Sequence, residues 1–169
     1  MSNRDAMQKP DFLTDEQWAY LKDQTSSLDR IRSDGKADCA DYLANPDGRS
    51  TGAGPSGLPT LLLTCIGRKS GEQRTTPLVF LQDGERMVVV ASLAGYDRNP
   101  AWYGNLSANP QCWMQLDRRK MSAVARDAND TERRELWPRL VAILPLWDMF
   151  QKVTERPFPI VILTPTGPA

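Results

Sequence analysis

From Leu58 onward the chain is a series of apolar runs of strand length, each cut short by a turn signal. TLLLTCI at 60–66 stops at Gly67, and Gly71 follows closely. TTPLVFL at 75–81 and MVVVAS at 87–92 flank Gln82, Asp83, Gly84 and Glu85. Asp followed by Gly is a strong hairpin signal, because both residues accept the backbone twist that a tight antiparallel turn needs. CWMQL (112–116) and KMSAVAR (120–126) flank Asp117, Arg118 and Arg119 as a second hairpin, and FPIVIL (158–163) is a last strand. Hairpins in place of alternating strand and helix disfavour a doubly wound parallel sheet. The expected class is α+β: about six strands in a small antiparallel barrel, with two or three flanking helices. No internal repeat is visible.

Two helices separate the strands. Asn99 is placed to cap one, with Pro100 at its first position and AWYGNLSAN running to a stop at Asn109 and Pro110. Asn129 or Asp130 is placed to cap another, with Leu136, Trp137, Leu140, Val141 and Leu144 on one face and Pro138 expected to kink it. Residues 1–47 are polar with helical spacing at Phe12, Trp18, Leu21, Leu28 and Ile31. Thr14 followed by Gln17 reads as a capping box for a helix to about Lys22. Residues 48–57, GRSTGAGPSG, read either as a flexible connector or as a loop over a ligand. Two regions follow: 1–57, a helical segment with its Gly/Ser-rich connector, and 58–169, the barrel.

Composition removes several chemistries. The chain has no histidine, which excludes Ser–His–Asp and Cys–His nucleophile systems, His-ligated zinc and imidazole-bound haem. Lys+Arg and Asp+Glu both number 21, so no net cationic field argues for nucleic acid. Three cysteines without a CxxC spacing suit a reducing compartment. The start, MSNRDAMQKP, lacks signal-peptide character, and no apolar run is long enough to cross a bilayer, so a cytoplasmic protein is expected. Peripheral membrane contact stays open, as does the choice between monomer and homodimer.

Three clusters carry candidate chemistry. In 67–74, GRKSGEQR, two glycines allow a tight bend from which Arg68, Lys69 and Arg74 project. Such a bend is either a solvated hairpin tip or a site for phosphate or carboxylate. In 91–103, ASLAGYDRNPAWY, small residues lead into a helix start whose free amides suit an anion. Trp102 and Leu106 lie one turn apart there, which equally suits core packing. Leu144, Trp147 and Phe150 recur every three residues, as core or as pocket wall. Asp148 and Glu155 are single carboxylates, so a two-carboxylate hydrolase has no support.

These clusters, read together, closely resemble the deazaflavin-dependent nitroreductase family, the F420-binding branch of the split β-barrel flavoproteins. The resemblance is carried by LLLTCIGRKSGEQRTTPLVFL, ASLAGYDRNPAWYGNLSANP, ARDANDTERRELWPRL and TERPFPIVILTP, roughly Pro59 to Pro165. It implies a split β-barrel that binds coenzyme F420, with FMN a weaker candidate. Arg68, Lys69 and Arg74 would hold its phosphate and acidic tail. Pro77, Leu78 and Val79 would wall the deazaflavin ring. Ala91, Ser92, Asn99, Pro100, Ala101, Trp102 and Asn105 would frame its other edge.

The implied reaction is hydride transfer from reduced F420 to an electron-poor acceptor such as a quinone, enone or nitroaromatic. Ser92 is the candidate catalytic hydroxyl; Leu144, Trp147 and Phe150 are the candidate substrate contacts. Val79 and Leu93 stand where some members carry tyrosine and lysine, and Leu144, Trp147 and Phe150 replace three tyrosines, so the acceptor pocket is expected to be more apolar. The alternative is a binding protein for F420 or FMN without turnover, or a subunit of a larger complex.

Overall fold

Seven strands form where about six are expected: β1 Thr60–Ile66, β2 Gln73–Val79, β3 Leu81–Asp83, β4 Arg86–Val90, β5 Gln111–Leu116, β6 Arg119–Asp127 and β7 Ile160–Pro168. The extra strand arises in the computed structural model, which describes residues 2–169, because the run at 75–81 breaks at Phe80. All pairings are antiparallel, in the order β2-β1-β5-β6-β7-β4-β3. β2 and β3 are the two edges of that sheet, yet one residue separates them in the chain. The sheet must therefore curl until its edges meet at Phe80, whose N–H donates to the Pro59 carbonyl (3.1 Å) and whose ring fills the barrel core. The split-barrel expectation holds. Pro77, which cannot donate to a ladder, sits on edge strand β2, where one missing donor costs least.

Strand periodicity explains why MVVV and IVIL are apolar without a break. Met87, Val89, Val161 and Leu163 point into the barrel with Leu61, Leu63, Met114 and Leu106. Their neighbours Val88, Val90, Ile160 and Ile162 point outward into a second cluster with Leu136, Leu140, Trp147, Phe150 and Phe158. These strands are buried on both faces, so alternation of polar and apolar residues disappears.

Among the described residues five α-helices surround the sheet: α1 Asp15–Gln24, α2 Leu28–Ala44, α3 Ala101–Ala108, α4 Asp130–Ile143 and α5 Leu146–Gln151. The Thr14–Gln17 and Asn129–Glu132 capping boxes are both present, and α4 continues through Pro138. α3 begins differently from expectation. Pro100 occupies the cap position without a side-chain bond, and Asn99 is used elsewhere. α2 packs against β2. Its Tyr42 is buried, with the hydroxyl donating to the Thr60 carbonyl (3.0 Å) and accepting from the Asp117 N–H (3.1 Å). Among the described residues no helix is long and apolar enough to cross a membrane.

Candidate active site

The bend between β1 and β2 closes on itself first. Gly67 N–H donates to the Glu72 carbonyl (2.7 Å), and Gly71 N–H donates back to the Gly67 carbonyl (2.8 Å). Gly71 has φ +72°, a left-handed conformation that glycine adopts without strain. From this bend Arg68 reaches across to α3. Its backbone N–H and its Nη1 both donate to Asn105 Oδ1 (3.1 and 3.0 Å), and Nη1 also donates to the Ala101 carbonyl (3.1 Å). The guanidinium can lie there because residue 104 is glycine: a Cβ would stand 2.6 Å from Nη1. Asn105 is buried and completes the joint by donating to Cys65 Sγ at 3.7 Å. Arg74 Nη2 pairs with Glu72 at 3.1 Å in solvent, an exposed contact that competes weakly for the guanidinium.

This bend and α3 form one side of a cleft of about 650 Å³. Arg68, Lys69, Arg74, Pro77, Ala101, Trp102 and Asn105 line it, together with Ile31, Arg32, Gly35 and Lys36 of α2. Five cations face this space, and no Asp or Glu is among its lining residues. Trp102 satisfies both expectations at once. It is only 7% exposed and belongs to the barrel core, yet it borders the cleft, with Tyr103 edge-on at 6.4 Å between ring centroids.

The second cluster, 91–99, is held by a residue that sequence reasoning passed over. The Arg156 guanidinium donates to the carbonyls of Ala91 (3.0 Å), Ser92 (2.6 Å) and Tyr96 (2.9 Å), and to Asn99 Oδ1 (2.8 Å). It also lies 4.9 Å from the centroid of the Phe158 ring. Burial lowers its pKa, while the charge of Asp97 opposes that shift. Asn99 therefore accepts from Arg156 instead of capping α3. Within the loop Leu93 (φ +42°), Ala94 (φ +50°) and Gly95 (φ +78°) are consecutive left-handed residues, two of them bearing a Cβ, so the turn is strained. The N-terminal segment helps to hold it: Ser2 Oγ donates to the Gly95 carbonyl (2.6 Å), and Arg4 donates to the Ala94 carbonyl. In the sequence Arg156 stands directly before Pro157-Phe158-Pro159, where prolines flank an aromatic, and that was the signal available.

Not every candidate reaches the cleft. Leu78 packs on the barrel core, Val79 packs on the second cluster, and Ala91 is fully buried in the barrel. Pro100 is buried at the α3 cap, and Ser92 opens the strained turn without a capping bond. Leu144, Trp147 and Phe150 do not share a helical face. Leu144 ends α4, while Trp147 and Phe150 lie on α5 and are 5% and 6% exposed inside the second cluster. Their apolar spacing records packing there. α5 supports the strained turn from beneath: the Phe150 carbonyl would be 2.9 Å from a Cβ on Gly95.

Burial raises the thiol pKa of Cys65 and of Cys112, the latter to about 12, so neither is a thiolate nucleophile at neutral pH. The arrangement suits holding an anion and positioning a planar group, with acid–base work left to hydroxyls and solvent.

The sequence and the fold find their counterpart among known proteins. Residues 40–165 match the family described as F420H(2)-dependent quinone reductase. The chain is 34% identical over 113 residues to the F420H(2)-dependent quinone reductase Rv1261c of Mycobacterium tuberculosis, covering 65% of this chain and 76% of that protein. It is 44% identical over 110 residues to Rv3178 of the same organism, provisionally named for the same activity, covering 64% and 91%. Among solved structures it resembles the F420-H2 dependent reductase FDR-A, with TM-score 0.58 and 32% identity over 62% of this chain and 93% of that one. A protein solved as a domain-swapped dimer aligns with TM-score 0.60 and 28% identity over 78% and 98%. With three-quarters of its length inside that match, the chain belongs to the F420H(2)-dependent quinone reductase family.

Proposed function

We propose that the chain reduces quinone-type acceptors with F420H2, held in the cleft between α2, α3 and the 67–74 bend. One observation carries the reading: Arg68, Lys69 and Arg74 open into a single space without carboxylates, bordered by Trp102 and Pro77. A phosphodiester with glutamyl carboxylates and a flat ring needs that donor set, clustered cations beside apolar and aromatic surface. FMN would offer the cations a phosphate but no acidic tail to occupy the rest of the charged cleft.

When bound, F420H2 supplies the hydride; the chain's residues bind, orient and polarise. Arg68, fixed by Asn105 and Ala101, together with Lys69 and Arg74, anchors the anionic end. Pro77 forms the strand side of the ring site, with Leu78 and Val79 backing it from the barrel core and the second cluster. Trp102, Asn105 and Ala101 form the opposite side, and the Arg156-held loop continues it through Ser92 and Asn99, with Ala91 and Pro100 buried behind as its support. Ser92 offers its hydroxyl to the acceptor oxygen as negative charge develops, and the proton that completes the hydroquinone comes from solvent. Trp147 and Phe150 shape the acceptor side through the turn that α5 supports, and Leu144 packs with them in the second cluster. The occupant of the acceptor site is a small molecule; cytoplasmic placement and a monomer or homodimer belong to the same reading.

The test is a fluorescence titration with F420, followed by anaerobic mixing of F420H2-loaded protein with a quinone. Saturable binding and reoxidation are expected. Folded protein that leaves F420 fluorescence unchanged refutes the reading, and binding without reoxidation transfers the protein to the non-catalytic alternative.

A further inference from the structure

Every carbonyl from Ala91 to Tyr96 accepts a hydrogen bond, and the donors come from two directions. Arg156 takes those of Ala91, Ser92 and Tyr96, and the Tyr96 N–H takes that of Leu93 (3.0 Å). The carbonyls of the left-handed residues Ala94 and Gly95 fall to Arg4 and to Ser2 Oγ (2.6 Å). Arg156 lies within the stretch that matches the family, residues 40–165, whereas Ser2 and Arg4 lie ahead of it. Arg4 is seated by more than the turn. Its Nη2 donates to the carbonyl and to Oγ1 of Thr25 (2.8 and 2.9 Å), and its guanidinium lies 4.2 Å from the centroid of the Tyr96 ring. Thr25, buried at the end of α1, also accepts the Tyr96 hydroxyl at its carbonyl (2.9 Å), so Arg4, Thr25 and Tyr96 close a triangle. The same segment is tied down just past α5, where the Asn3 N–H donates to the Val153 carbonyl (2.6 Å) and Ser2 bridges to Thr154.

Leu93 and Ala94 carry a Cβ at φ +42° and +50°, a conformation that persists only where the surroundings over-determine it. Ser92 stands directly before them at φ −84°, ψ −38°, so a relaxed turn would re-aim its hydroxyl. We propose that Arg4 is a positioning residue for the reaction: it holds the 93–95 turn in its left-handed form and so fixes where the Ser92 hydroxyl meets the acceptor. The proposal rests on the reading of the chain as an F420H2-dependent reductase with Ser92 at the acceptor. Arg4 does not line the cationic cleft, and its effect reaches Ser92 through the Ala94 carbonyl. Division of labour follows: the bend and α3 hold the coenzyme, while a guanidinium from outside the family match sets the geometry of the acceptor step.

Single-turnover reoxidation of F420H2-loaded protein by a water-soluble benzoquinone, followed by absorbance beside F420 fluorescence titrations, decides it. Arg4→Ala should slow reoxidation about ten-fold, the scale of a strained turn losing its hold, while the Kd for F420 stays within about two-fold of wild type. Two further variants separate positioning from mere support of the fold. Ala94→Gly makes the left-handed conformation free of steric cost, so it should restore most of the rate when combined with Arg4→Ala. In a Ser92→Ala background, Arg4→Ala should slow the reaction no further, because both changes remove the same contact. Should Arg4→Ala fail to fold, Ser2→Ala removes one bond from the same turn and should slow reoxidation about two- to three-fold. An unchanged rate in the folded variant, a rate not restored by Ala94→Gly, or losses that add with Ser92→Ala overturn the proposal while the reductase reading stands. A faster Arg4→Ala overturns it too, by showing that the segment obstructs the acceptor. Wild-type protein that binds no F420 or leaves F420H2 unoxidised overturns both.

Discussion

Replacing Gly104 by Ala separates the cofactor role of the Arg68 joint from its structural role. The new Cβ would stand 2.6 Å from Arg68 Nη1 and 2.8 Å from Cζ, so the guanidinium must leave α3. The obstacle is the far end of a flexible side chain, and its departure is cheap. Nη1 gives up bonds to Asn105 Oδ1 and the Ala101 carbonyl, each worth about 1 kcal/mol net and partly replaced by water. Asn105 Oδ1 keeps its bond from the Arg68 backbone N–H. Against this, Ala gains about 1 kcal/mol of helix propensity over Gly. Stability should therefore change by no more than about 1 kcal/mol, a shift of about 2–4 °C in Tm for a chain of this size. Cofactor affinity should respond differently. An unseated Arg68 forfeits one prepositioned charge-assisted contact, about 1.5–3 kcal/mol, or roughly ten- to hundred-fold in Kd. Thermal unfolding and F420 titration of Gly104→Ala beside Arg68→Ala read both quantities. If Gly104→Ala binds as tightly as wild type while Arg68→Ala does not, the seat on α3 is irrelevant. A large loss of Tm in Gly104→Ala would show that the backbone, and not Arg68, absorbs the clash.

Three further outcomes are expected. Arg156→Lys should lose about 2–4 kcal/mol in urea unfolding, because an ammonium cannot reach three carbonyls and Asn99 from one stem and leaves buried acceptors unmet; unchanged stability would show that the 91–99 loop holds itself. Trp102→Ala should cost about 3–5 kcal/mol and also weaken F420 binding; loss of only one property would assign Trp102 to the core or to the cleft alone. Glu132 is held at about 2, first by its bond from the Arg126 guanidinium and then by the Asn129 N–H. Its folded pKa lies below the unfolded one, so its contribution is present above the ordinary glutamate range and lost as pH falls toward about 2. Glu132→Gln should flatten the decline of urea midpoint across that window; an unaltered pH profile would refute the assignment.

The strands were legible because hairpin signals are local: Asp83 and Gly84 specify their turn whatever surrounds them. Capping boxes at Thr14 and Asn129 are local for the same reason. The break at Phe80 was not legible, since it follows from the two edges of a curled sheet meeting, a property of the whole topology. Asn99 misled for a related cause. Its side chain suits a helix cap, but a buried guanidinium from a distant segment outcompetes the helix for its oxygen. The stripe of Leu144, Trp147 and Phe150 satisfied helical spacing in the sequence, but Leu144 ends one helix and Pro145 leads into the next, so the spacing never became one face. In the site, the bend cations were readable because they are consecutive. The share of α2 was not, because Arg32 and Lys36 reach the cleft only through packing of α2 on β2.

A chain with zero formal net charge presents five cations to one cleft, and the structure explains how. Carboxylates are consumed elsewhere by specific partners: Asp83 takes both Arg86 and Arg139, Asp47 takes Arg118, and Glu132 takes Arg126 and Arg86. Those pairs cancel at short range, within a few ångströms, while among the described residues the cleft cations pair only with Asp29 and Glu72, both largely exposed. The field that an approaching anion meets is set by charges within about one Debye length, not by the sum over the molecule. Composition therefore excludes a polyanion that must wrap the surface, and leaves room for a small ligand whose charges fit one groove. It follows that coenzyme binding to this neutral protein should weaken with ionic strength as it would for a basic one.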